Sequence, residues 1–575
     1  MIDNDSNWLD IENEKLFYTH HLPKNKSIKS AVIIISPVGP EYMHCYRSVK
    51  MLARELAEKG FHSIRYDPIG IGNSTGDLED PDIWGKWINC VNHITTYLKN
   101  GYEIEDIVLV GLRSGCLVLS DALMVLPKVN AVFWYPYTMG AKYVRDIELL
   151  DSMLYRNKDL STEDDTLDGG GYPVTADLKS KIKNINLKSI ESSKLSNILI
   201  INSKETNVSQ NFHNRMLEMG VNSEQLDLDG LDAMTKQAAI SKIPISNIGE
   251  IVNWVAKTNV EESTNSDQVT ITRKFISHHN YSEEICYISD KRKIFGILTK
   301  PLNECSGSIV ILPNTGAAHN VGPNRFHVDV ARKYTTQGIS TLRIDLSNLG
   351  ESCDTYGNES QHPYPSTAAD DINGAINYVS NEHHYDDVIL CGLCSGAHNI
   401  FHAALEAKSN IISKIIFINP LTFYWKPGQS IFAPEESQAV MEEIYYKKQL
   451  LNYKKWLNLI TNPKKSVNII AFLFQLVGKL FRTLQCKIIG LFTDNESLLS
   501  RDIRRLVSKG IAISLINSMG DPGKKILTSK ASKLIEELKA RGLYTNIEIS
   551  DADHTFSSRE SRAELIKALL HTTTP

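Results

Sequence analysis

The sequence predicts an α/β protein built as a tandem: two mostly parallel, doubly wound sheets, with a helical cap inserted in the second. Three observations predict it. Short β-branched apolar runs alternate with amphipathic segments of helix length, the pattern of βαβ units and of a sheet covered on both faces. The order of those segments occurs twice. At 575 residues the chain also exceeds what one core usually holds, since domains rarely pass about 300 residues.

In the first copy AVIIISPVGP (31–40) reads as a strand and VKMLARELAEKG (49–60) as a helix. FHSIRYDPIGIGNS (61–74) reads as a strand leading into a turn, and DIVLVGLRSG (106–115) as a further strand. The second copy gives SIVILPNTGA (308–317), the helical FHVDVARKYTTQG, then ISTLRIDLSNLGES (339–352) and DVILCGLCSG (387–396). Later, ILIINSKE (198–205) answers ISLINSMGD (513–521), and LDLDGLDAM (226–234) matches IEISDADHT (547–555) without a gap. The polar stretch KTNVEESTNSDQ (257–268) separates the copies, so residues 1–262 and 263–575 are the expected domains. After KIIFINP (414–420) the second copy inserts residues 421–508, read as the cap, which carry Phe423, Tyr424, Trp425, Phe472 and Phe474. These aromatics suit an acyl-chain channel or the cap's own core, and the sequence leaves both open.

Sixty-two Lys and Arg against 67 Asp and Glu give a net charge of −5, too mild to steer the chain to nucleic acid. The amino terminus MIDNDSNWLDIENEK is acidic and lacks an apolar core, unlike a secretory or transit leader, so a cytoplasmic protein is expected. Nine cysteines, an odd number at irregular spacing, point to reduced thiols. NIIAFLFQLVG (468–478) is about half the ~20 residues a spanning helix needs, so no membrane span is expected. No phosphate loop or dinucleotide fingerprint occurs, and the adjacent pairs His20-His21, His278-His279 and His383-His384 share no ligand face. Neither a cofactor nor a metal is expected, and oligomeric state is not legible.

Gly392-Leu393-Cys394-Ser395-Gly396 lies between an apolar strand and the helical AHNIFHAALEAK. This is the context of a nucleophile elbow, in which flanking glycines relieve crowding around a strained residue. Its central residue is Cys394, whose sulfur would stand at a helix amino terminus that favours thiolate. His554, after the last strand, is the candidate base. Asp521, in MGDPGK at the end of a strand, is the candidate that orients it, with Asp494 as rival. The oxyanion would take the N–H of Ser395 and one from the loop carrying Thr315, Gly316 and Ala317, three candidates the sequence does not separate. Cys391 and Cys394 also form a CxxC, but without a second such pair a zinc site is incomplete.

Nucleophile, acid and histidine in that order, on repeated β/α units, resemble the α/β-hydrolase superfamily. The resemblance covers nearly the whole chain, once per copy. ARKYTTQGISTLRIDLSNLGES with CGLCSGA is similar to serine-aminopeptidase-like hydrolases, including those associated with exosortase systems. An elbow cysteine also resembles that of dienelactone hydrolase and polyhydroxyalkanoate synthase. The resemblance implies a cysteine hydrolase of acyl esters or thioesters, with acyl-CoA or acyl-carrier-protein thioesters as substrates, in secondary-metabolite or polysaccharide-linked biosynthesis. An acyltransferase using the same adduct, and a protein that only binds, are the alternatives.

The first copy reads as disarmed and as packing against the second. Gly111-Leu112-Arg113-Ser114-Gly115 keeps the glycines and loses the nucleophile, Ala233 stands where His554 should be, and Glu205 falls near the acid position. Arg113 would be either scaffold or a cation for an anionic ligand.

Overall fold

A computed structural model describes residues 4–23, 29–154, 166–204, 209–258, 274–288, 293–303, 305–352, 361–450 and 496–573. The expected boundary near 262, Glu205, Asp494, Phe472, Phe474 and the apolar run at 468–478 lie outside the described residues. The chain forms two compact units, Met1–Pro365 with Phe556–Thr574, and Ser366–Thr555 with Pro575. It is α/β, and its sheets are mostly parallel.

In the first unit the strands begin with β1 (Asn4–Ile11), β2 (Glu14–His21), β3 (Ser30–Ile35), β4 (His62–Tyr66), β5 (Asp106–Leu112) and β6 (Val129–Trp134). A short pair, β7 (Leu167–Asp168) with β8 (Pro173–Val174), precedes β9 (Leu195–Ser203) and β10 (Asn222–Leu228). The main sheet runs β1-β2-β4-β3-β5-β6-β9-β10, parallel from β4 onward, with the β1–β2 hairpin antiparallel at one edge. Alternation along the strands covers both faces, as the apolar runs require. Val32, Ile34, Val108 and Val110 meet the helix Glu41–Glu58, while Ile33, Ile35 and Leu109 meet the helix Ile83–Tyr102.

The same unit holds β11 (Phe275–His278), β12 (Tyr281–Ile288), β13 (Ile294–Pro301), β14 (Ser308–Leu312) and β15 (Ser340–Ile344), in the order β11-β12-β13-β15-β14. The second unit holds β16 (Asp387–Leu393), β17 (Ile412–Ile418), β18 (Ala512–Ser518) and β19 (Tyr544–Ile549), parallel and in sequence order. The repeat is therefore visible in topology: β12-β13-β15-β14 retraces β1-β2-β4-β3, and β16-β17-β18-β19 retraces β5-β6-β9-β10.

Matching positions of the two copies also contact each other within the first unit. Arg65, in SIRYD, reaches Glu351 with Nη2 2.5 Å from Oε2. Its counterpart Arg343, in TLRID, reaches Asn73, the residue that matches Glu351, at 2.6 Å. Such reciprocal pairing is the mark of an approximate two-fold contact. Glu283 accepts from Arg343 at 2.9 Å and Arg332 at 2.8 Å, and Glu283 and Arg343 are both fully buried.

Of the expected cap, helices Glu435–Leu450 and Leu498–Ser508 are among the described residues. Phe423 is fully buried, with its ring 5.2 Å from Phe401 and 5.4 Å from Phe417, so it packs as core. Tyr424 donates to Asp502 at 2.7 Å.

Candidate active site

The second unit brings Cys394, Asp521 and His554 to the carboxyl ends of β16, β18 and β19. Parallel pairing of β16, β17, β18 and β19 brings these three strand ends to one edge of the sheet, with β17 between β16 and β18. Cys394 has φ +58° and ψ −117°, a backbone that residues bearing a Cβ rarely adopt, and it caps the helix Ser395–Glu406. Such a conformation costs about 1–3 kcal/mol and persists only where neighbours enforce it. Here the Cys394 N–H donates to Ile418 O at 2.9 Å, and a Cβ on Gly392 would lie 2.4 Å from the Gly396 carbonyl. Gly392→Ala is accordingly expected to lower stability by about 1–3 kcal/mol, read as a shift in urea midpoint. The thiol is partly exposed.

Asp521 is held by the turn after β18. Its N–H donates to Ser518 O at 3.1 Å, and its Oδ1 accepts from Gly523 N at 3.1 Å. Its other oxygen lies 2.7 Å from Nδ1 of His554, whose side chain is 32 % exposed. Burial of the imidazole acts to lower its pKa, but Cys394 and the Asp521 carboxylate outweigh this and raise it to about 10. Nε2 is buried, and the nearness of Cys394 contributes to the raised pKa.

A raised folded-state pKa means that the imidazolium stabilises the native fold. That contribution is complete below the unfolded-state value of about 6.5 and is lost as pH rises through about 10. The stability difference between the native chain and His554→Ala should therefore shrink from pH 6.5 to 10, measured by urea unfolding across that range.

Ser395 is the first residue of its helix, where backbone N–H groups point out of the amino terminus. Thr315, Gly316 and Ala317 follow β14 in the first unit. Thr315 and Ala317 are buried, the Thr315 hydroxyl lies 3.2 Å from Nε2 of His327, and Gly316 has φ +58°. Cys391 is fully buried, and burial pushes its thiol well up, away from thiolate. Among the described residues no cluster of three or more His, Cys, Asp or Glu is placed to hold a metal. None of the described helices is long and apolar enough to cross a membrane.

One residue at this site was not anticipated. Asn419, directly after β17, is fully buried with φ +41° and hydrogen-bonds both the Ser518 turn and the His554 carbonyl. A polar residue directly after the apolar strand KIIFI was the available signal.

In the first copy the elbow's backbone survives without its chemistry. Arg113 has φ +55°, and a Cβ on Gly115 would lie 2.3 Å from Ile35 O. The guanidinium makes an ion pair with Glu41 at 3.0 Å, donates to Tyr137 at 2.7 Å and lies over that ring at 4.2 Å. Its charge is thus matched internally, which disfavours a role in binding an anion. Ser114 Oγ accepts from the N–H of Val38, on the loop after β3, at 2.9 Å, so a donor where an oxyanion would be bound is already satisfied. Asp232 pairs with Lys236, and Ala233 beside it offers no base.

No protein-family model matches the chain, and neither does any curated protein sequence. Among solved structures it is similar to Est1E from Butyrivibrio proteoclasticus with ferulic acid bound, at 19% identity over 44% of this chain and 98% of that one, with a TM-score of 0.35. It is similar to proline iminopeptidase from Mycobacterium smegmatis at 13% identity, over 44% of this chain and 99% of that one, with a TM-score of 0.32. Dienelactone hydrolase from Anabaena variabilis is similar at 13% identity, over 51% of this chain and 97% of that one, with a TM-score of 0.31. The second copy thus presents, in chain order, a strained residue between a parallel strand and its helix, an acid in the turn after a later strand and a histidine after the last, on an α/β sheet.

Proposed function

We propose that the chain is a cysteine-dependent acyl hydrolase acting on thioesters or esters. The observation that supports it most is the imidazole of His554, held by Asp521 and charged by the nearness of Cys394. In this reading the Cys394 sulfur attacks the acyl carbon, and the negative charge moves onto the carbonyl oxygen. The N–H of Ser395, at the amino terminus of its helix, binds that oxygen. As the carbonyl re-forms, the bond to the leaving sulfur or oxygen breaks, and His554 gives that atom its proton. Acylation removes the charge on Cys394 that raised the pKa of His554. The imidazole is then free to take a proton from water, which attacks the acyl-cysteine and releases a carboxylic acid.

Cysteine suits a thioester because thiol exchange is nearly isoenergetic and leaves the acyl group activated. The test is intact mass after brief exposure to a panel of acyl-CoA and acyl-carrier-protein thioesters and simple esters. The native chain is expected to gain the acyl mass and lose it on standing. Cys394→Ala is expected to gain none. An adduct that persists in water and discharges only onto an added amine or alcohol would assign transfer instead of hydrolysis. No adduct with any probe would overturn the proposal.

A further inference from the structure

We infer that Asn419 is a positioning residue, a latch that holds the acid turn and the histidine loop in one geometry; this rests on the Cys-His-Asp reading above. Four parallel strand ends carry the site. β17 lies between the nucleophile's strand β16 and the acid's strand β18, and the histidine follows β19 on the far side of β18. Asn419 stands at the end of β17 and spans that distance.

Both ends of its amide and its backbone N–H are used. The amide Nδ2 donates to the backbone carbonyl of His554 at 2.7 Å and to Ser518 Oγ at 3.2 Å. Oδ1 accepts from the Ser518 N–H at 2.8 Å, and the Asn419 N–H donates to Ile516 O at 3.1 Å. Ser518 in turn accepts the Asp521 N–H through its carbonyl, and Ile418, one residue before Asn419, accepts the Cys394 N–H. One buried amide therefore ties the loops of both partners to the strand that anchors the elbow. Its left-handed φ of +41° suits asparagine, which tolerates that region better than most side chains. In the disarmed copy the residue after β6 is Tyr135, with φ +50°, and its hydroxyl reaches Leu228 O and Asp229 O instead. The backbone bend is common to both copies, whereas the amide latch belongs to the copy that keeps acid and histidine.

The latch acts on His554 through its main chain, so its loss should alter the imidazole's setting before it alters the fold. The full chain with 13C-labelled histidine is titrated by NMR, with His554 identified by the signal lost in His554→Ala. Asn419→Leu and Asn419→Ser are each expected to lower the His554 midpoint by about one pH unit or more. They should also slow acylation of Cys394 by a thioester probe by about tenfold to a hundredfold, with probe affinity unchanged. The Ser variant guards against a Leu variant that fails to fold. A midpoint and an acylation rate equal to native in a folded variant, even one of reduced melting temperature, would overturn the inference. A midpoint that moves in a chain whose native form takes no acyl group would keep the latch and remove the acyl chemistry.

Discussion

Cys394→Ala is expected to reduce acyl release by about 10⁴-fold or more while leaving the chain folded, because under the proposed mechanism it removes the nucleophile and leaves only binding and oxyanion stabilisation. The fold should tolerate the change, since the strained backbone at Cys394 is enforced by its neighbours and the side chain itself is partly exposed. Cys394→Ser separates two contributions. It keeps a hydroxyl of similar size but removes the sulfur whose nearness, with Asp521, raises the His554 pKa to about 10. In Cys394→Ser the imidazole should titrate much closer to 6.5, and activity should appear only above that value, where His554 can act as a base. The pH profiles of the native and serine forms are the check. Identical profiles would show that Cys394 does not set the charge of His554.

Glu283→Gln carries the largest expected effect on stability, a loss of about 3–5 kcal/mol read from urea midpoints at pH 7. The carboxylate accepts from Arg332, Arg343 and Thr299, and is fully buried. Its neutralisation leaves two guanidiniums without their shared counter-charge, one of them with no exposure at all. Burial pushes the Glu283 pKa up, but Arg332 and Arg343 outweigh this and hold it below its usual value. A depressed folded-state pKa gives stability that is present above the unfolded value of about 4.5 and lost as pH falls through the folded one. The native chain should therefore lose stability more steeply in acid than Glu283→Gln does. Replacing all three residues with Met or Leu of similar volume is expected to cost far less than the single change, because no charge is then left alone.

The repeat and its strands were legible because short β-branched runs bounded by Gly and Pro have few other readings. AVIIIS, DIVLVGL, SIVIL and DVILCGL became β3, β5, β14 and β16 within a residue or two. The hairpin β1–β2 and the strands β11 to β13 were not anticipated. Their sequences, such as NDSNWLDI and YSEEICYI, mix charge with apolar residues, and the apolar ones bury against each other across the copies, Trp8 and Phe17 with Ile276, Ile285, Phe295 and Ile297. The Asp521–His554 pairing followed from motif order, since the strand-end geometry of a parallel sheet converts chain order into position. The partners of Glu283, Arg332 and Asn419 were not legible, for a common reason. Each works through partners far away in the chain, and no spacing rule links a strand glutamate to two arginines some 50 and 60 positions later.

The bend at Arg113 bears on how such molecules change over time. Its φ of +55° is close to the +58° of Cys394, although an arginine stands there. A left-handed φ at both corners makes the bend a property of the strand-to-helix corner and not of the side chain placed on it. A survey that took backbone outliers as signposts of catalysis would therefore mark Arg113 as readily as Cys394. Reversion is blocked elsewhere: with the Val38 N–H already occupied by Ser114 and no imidazole at Ala233, restoring a thiol at 113 alone would recover the corner and nothing of the reaction.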